Sequence, residues 1–127
     1  MAKQALLLGS IFGAISVIIG AFGAHALKDL LIANGRLEVF ETAVRYQFFH
    51  TLALLVLGLV NGQVAEKWLK RAVYFFTAGI VVFSGSLYIL SISNIGYFGA
   101  ITPVGGVFLI LGWISLVLGI DRQNKIG

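Results

Sequence analysis

The sequence predicts an all-α integral membrane protein, with four transmembrane helices in a compact bundle and both termini in the cytoplasm. Three observations predict it. Of the 127 residues, 59% are hydrophobic and only 11% charged, with a mean hydropathy of +0.99, whereas a soluble domain is about a quarter charged. Charge is absent from residues 5 to 24, 46 to 65 and 72 to 120. The last run is long enough for two spans of about 20 residues and a turn. Finally, Lys and Arg are distributed unequally between the ends of those runs, as in chains oriented by their basic loops. So little chain remains outside the spans that residues 1–127 are expected to form a single domain.

The first span is placed at residues 4–26. Lys3, the apolar stretch and Ala24-His25-Ala26 have the outline of a signal peptide ending in an A-x-A site. The stretch exceeds an h-region of about 7–15 residues and its glycines are patterned for packing, so it is expected to stay as a helix. The segment HALKDLLIANGRLEVF then alternates apolar and charged residues at helical spacing, with Asn34-Gly35 as a break. It reads as a short interfacial helix and a turn. The second and third spans follow at 38–61 and 70–93. The connection SNIGYFGAIT is uncharged and suits a tight turn. Thr102 before Pro103 has the form of a helix start, a capping hydroxyl followed by the residue that fits the first helical position, so the fourth span is placed at 103–120.

Orientation follows from counting. Lys3, Lys67, Lys70, Arg71, Arg122 and Lys125 fall on the side of the termini and the second loop, and Lys28, Arg36 and Arg45 on the other. The excess puts both termini in the cytoplasm and the Lys28 to Arg45 end outside. A net charge of +4 arranged in this way implies the lipid bilayer as partner and argues against nucleic acid. There is no cysteine, which removes thiolate and disulfide chemistry.

Lipid tails are as apolar as leucine, so membrane helices associate through close packing and polar contacts. Gly9, Gly13, Ser16, Gly20 and Gly23 make a small-residue seam at spacings of 4, 3, 4 and 3, and Gly105, Gly112 and Gly119 are seven apart with Ser115 among them. A seven-residue repeat keeps one face toward a neighbour. These two seams are expected to pair the first and fourth spans, within one chain or between protomers.

The polar residues raise the question of function. On a helix, Glu41 and Arg45 lie one turn apart with the carboxylate first, the favourable order for an ion pair. Tyr46, Gln47 and His50 lie on a separate arc. His50 is about 8 Å deeper than Arg45, so Arg45 can snorkel to the interface whereas His50 needs a partner inside the bundle. His25 ends the first span on the same side and is expected to converge with this segment. If helix continues past His25, Asp29 lies one turn on and would fix its tautomer. Each residue has a structural reading, anchoring or hydrogen bonding, beside a ligand-binding one. Haem or metal ligation by the two histidines requires matching depths, which they lack. A triad of His25, Asp29 and Ser93 has no nucleophile elbow to support it.

The motifs GAFGAHAL at 20–27 and FETAVRYQFFHTLALL at 40–55 resemble those of the small bacterial membrane proteins called domain of unknown function 423, whose relatives include a similar mitochondrial membrane protein of animals. The resemblance covers nearly the whole chain. It implies a four-helix integral membrane protein of the bacterial inner membrane and supplies no activity, cofactor or catalytic residue. The expectation is a non-enzymatic accessory or structural protein, without cofactor or metal, that packs with itself as a homo-oligomer or with a larger membrane complex. The alternative is a transporter, channel or lipid-binding or small-molecule-binding protein whose outer cluster takes a ligand, with Arg45 pairing a lipid headgroup phosphate.

Overall fold

The computed structural model describes residues 1–60 and 62–126, with side chains through Arg122. Lys125, one of the basic residues in the orientation count, lies outside the described side chains. Helix α1 spans Ala2–Ala24, α2 Lys28–Ala33, α3 Leu37–Leu59, α4 Glu66–Gly79, α5 Gly85–Ser93 and α6 Tyr97–Ile126, with a π-helical turn at Ile80–Ser84 joining α4 to α5. Among the described residues, four helical stretches are long and apolar enough to cross a membrane: Ala2–Ala24, Leu37–Leu59, Glu66–Ser93 and Tyr97–Arg122. At 1.5 Å per residue each covers a hydrocarbon core of about 30 Å. The chain is an all-α membrane protein.

Local chemistry sets the breaks. α1 stops at Ala24 because His25 leaves helical geometry, at φ −122° and ψ −80°. Helix therefore does not carry His25 on to Asp29. Gly35 turns the chain with φ 65° after α2, where Asn34-Gly35 predicts a break. Asn94 closes the third span in the left-handed region, φ 56°, which Asn tolerates better than most residues.

One expected boundary is wrong. α6 starts at Tyr97, so Pro103 lies inside the helix. The Thr102 hydroxyl does not cap a helix start. It donates back to the Phe98 carbonyl at 3.2 Å and lies 2.7 Å from the Ser86 hydroxyl. A proline costs an interior helix one N–H bond and crowds the preceding turn; here the polar contacts of Thr102 hold that turn against α5.

The helices form two antiparallel hairpins. Gly9, Gly13, Gly20 and Gly23 of α1 face Leu55, Thr51, Val44 and Phe40 of α3, each step up one helix matching a step down the other. Gly105 and Gly112 face Phe83 and Phe76 of the third span in the same way, and Gly119 faces Trp68 of that span and Val64 just before it. The expected pairing of the first and fourth spans is therefore overturned. Each seam is used against its neighbour in sequence, since short connections make consecutive helices adjacent.

Between the hairpins lies the main core, where Leu54, Leu57, Leu69, Val73 and Phe76 are fully buried. The Ser84 hydroxyl, on the π-helical turn, donates to the Ala43 carbonyl at 2.7 Å. At the end that carries α2, the Asn34 amide donates to the Ser91 and Ile92 carbonyls at 2.9 and 3.2 Å, and Arg36 Nε donates to Asn94 Oδ1 at 3.1 Å. These contacts strap the α2–α3 connection to the end of the third span. At the opposite end the amino terminus lies 4.0 Å from Glu66.

Candidate functional site

The polar residues of α3 divide between two environments. Gln47 is 2% exposed and lies between three helices. Its Nε2 donates to the Phe12 carbonyl at 3.1 Å, and the Tyr88 hydroxyl donates to its Oε1 at 2.5 Å. His50 is equally enclosed. Trp113 Nε1–H donates to its Nε2 at 3.0 Å, which makes that nitrogen the acceptor and leaves Nδ1–H to donate to the Tyr46 carbonyl at 2.7 Å. Both ring nitrogens are committed, so in this arrangement His50 has none to offer a haem iron or metal. Tyr46 stacks on Phe83 with ring centroids 4.5 Å apart. Tyr46, Gln47 and His50 thus tie α3 to α1, to α6 and to the third span.

Glu41 and Arg45 sit elsewhere. Each is two residues from Ala43, about 200° round α3, so they face away from the second hairpin that Ala43 contacts. With Gly20 and Gly23 of α1, Lys28 of α2 and Phe40, they line a groove of about 440 Å³ at the α2 end of the bundle. The ion pair expected between Glu41 and Arg45 does not form: among the described residues neither makes a salt bridge within 4.0 Å. The Arg45 guanidinium instead turns one helical turn toward the α2 end and donates to Thr42 Oγ1 at 3.3 Å. The Thr42 hydroxyl is itself spent on the Glu38 carbonyl at 2.9 Å. The groove therefore presents two cations and one carboxylate, all exposed.

His25 does not join them. It is exposed and borders a shallow apolar surface of α1 with Val17, Ile18 and Phe22, separate from the groove. The expected convergence fails because α1 ends one residue earlier and turns the imidazole outward. Ser93 donates its hydroxyl to the Ile89 carbonyl at 2.6 Å, a bond within its own helix. Among the described residues there is no cluster of three or more His, Asp or Glu able to hold a metal ion. Lys28 was legible in the sequence only as an interfacial charge; the partners Tyr88, Trp113 and Ser84 carried no signal, because contacts between distant helices leave no local spacing to read.

The sequence profile of a family described as a protein of unknown function, DUF423, matches residues 19–106. The chain belongs to this DUF423 family. The matched region includes the residues that line the α1–α3 groove, and Gln47, His50, Ser84 and Tyr88, but not their partners Phe12 and Trp113. A UPF0382 membrane protein of Staphylococcus saprophyticus is 44% identical over 92% of this chain and 96% of its own length. One of Bacillus subtilis is 42% identical over 91% and 94%. A UPF0382 inner membrane protein of Escherichia coli K12 is 38% identical over 96% and 92%. These relatives are thus matched along nearly their full length. No solved structure matches the chain.

Proposed function

We propose that this DUF423 protein is a non-enzymatic accessory protein of a bacterial inner membrane, with both termini cytoplasmic, and that it acts by association at its outer end and on its lipid-facing flanks. The observation that carries this reading is how the reactive side chains are used. His50, Gln47, Tyr88 and Ser84 hold one helix to another, and the glycine seams are filled by the chain's own side chains. What is left for a partner is the charged groove and the exposed apolar faces of α1 and α6, where Val17, Ile18, Val107 and Val117 point outward. Inner-membrane placement is supported by the name of the Escherichia coli relative, and orientation by the unequal basic charge.

Native mass spectrometry of the protein released from mild detergent tests this, by recording stoichiometry and any co-purifying polypeptide. A defined oligomer or a stoichiometric partner supports the accessory role. A monomer without a partner under conditions that retain other membrane complexes overturns it. A second reading, a binding protein for a lipid or small molecule, is favoured by the groove itself. Transport has less support, since the interior between the hairpins is filled by apolar side chains.

A further inference from the structure

We infer that the groove between α1 and α3 holds the headgroup of one phospholipid, its phosphodiester on Lys28 and Arg45 and a headgroup N–H or O–H on Glu41. This goes beyond the accessory role and does not depend on it. Lys28, Glu41 and Arg45 come from two different helices and reach one groove of about 440 Å³. Among the described residues none of the three is in a salt bridge, and the side chain of Arg45 makes one hydrogen bond, to Thr42. A guanidinium has five N–H donors in a fork that suits phosphate oxygens, so most of its capacity is unspent.

Depth and shape agree with charge. Arg45 lies eight residues into α3, about 12 Å below its start, and Gly20 lies about 6 Å from the end of α1, so the groove runs from headgroup level into the upper acyl region. Arg45 directs its charge back toward the α2 end, as a cation does when it reaches for the interface. Gly20 adds no side chain to the α1 wall, while Phe40 and Val44 supply apolar contact beside the charges. Two cations beside one carboxylate suit a phosphate that carries a neighbouring donor. Ethanolamine and glycerol headgroups have one, and choline has none.

The test is reconstitution into bilayers of phosphatidylethanolamine, phosphatidylglycerol and phosphatidylcholine in equal amounts with matched acyl chains, followed by mild-detergent release and native mass spectrometry. The expected result is one retained lipid per chain, with ethanolamine or glycerol headgroups favoured about tenfold over choline, the scale of one charge-assisted hydrogen bond. Arg45→Ala and Lys28→Ala should each lower retention about tenfold. Arg45→Lys should keep part of it, Lys67→Ala at the opposite end should keep all of it, and Glu41→Gln should shrink the preference against choline. Helicity and thermal unfolding of each variant show whether it is folded, and the Arg45→Lys and Glu41→Gln comparisons carry the test should Arg45→Ala misfold. Retention without headgroup preference, or retention unchanged in both Arg45→Ala and Lys28→Ala, would overturn the inference. A defined oligomer that retains no lipid would also overturn it while leaving the accessory role standing.

Discussion

The hairpin interface and the α2-end groove are built from the same helix, α3, and their polar groups are treated in opposite ways. At the interface Gln47 and His50 are 2% and 6% exposed and have hydrogen-bond partners at both ends of their polar groups. In the groove Glu41 and Arg45 are exposed and meet no opposite charge within 4.0 Å among the described residues. A buried polar group without a partner in hydrocarbon costs several kcal/mol, on the order of 2 to 7, so the partners of Gln47 and His50 stabilise the fold, whereas Thr51 Oγ1 on the same helix is buried without one among the described residues. Exposed groove charges bear no such requirement. The first set is explained by stability, and the second is free to bind.

Mutations can break this distinction. The largest effect is expected for His50→Ala, which removes a ring packed 5.4 Å from Phe76 and 5.7 Å from Trp113 and strands the indole N–H. It should destabilise the protein by about 3 kcal/mol, seen as a lower midpoint in thermal or denaturant unfolding in micelles. A value below about 0.5 kcal/mol would mean that the interface is not built on this contact.

Next in size is Gly23→Ala. A methyl there would run into the buried Phe40 ring, and overpacking of this kind costs about 1–3 kcal/mol. Gly20→Ala is its control on the same seam, because the new methyl would sit 3.6 Å from Val44, an ordinary contact. Equal losses from the two would show that the seam does not have the register described. Gln47→Leu should cost about 1 kcal/mol, the scale of a hydrogen bond between membrane helices, by leaving Tyr88 and Phe12 without their partner. Tyr88→Phe combined with Gln47→Leu should lose less than the sum of the single changes, and strict additivity would argue against the bond. The smallest stability effect belongs to Arg45→Ala, within about 0.5 kcal/mol. Unfolding measured beside lipid retention separates this from the interface mutants, and a loss as large as that of His50→Ala would make Arg45 a structural residue.

Legibility followed range. The four long helices and the break at Asn34-Gly35 were readable because each depends on residues within a turn or two of one another. Thr102-Pro103 misled for the same reason: as a local pattern it fits a helix start, yet the turn continues because Thr102 is engaged with Phe98 and Ser86. Its place at the end of the first span predicts that His25 meets α3, yet its own non-helical backbone turns it outward.

The sequence alone determined that apolar runs of spanning length would become helices, since in a bilayer every backbone N–H and C=O has to be bonded within its own segment. It also marked the small-residue faces and the polar residues that would need partners. Only the tertiary structure decided who the partners are. Glycine seams with the same repeat fit any close neighbour, and short connections assigned them to consecutive helices instead of to each other. Likewise, rotation of α3 put Gln47 and His50 inside and Glu41 and Arg45 at a groove with Lys28, because a helix fixes the angle between its side chains and packing fixes which angle faces the core.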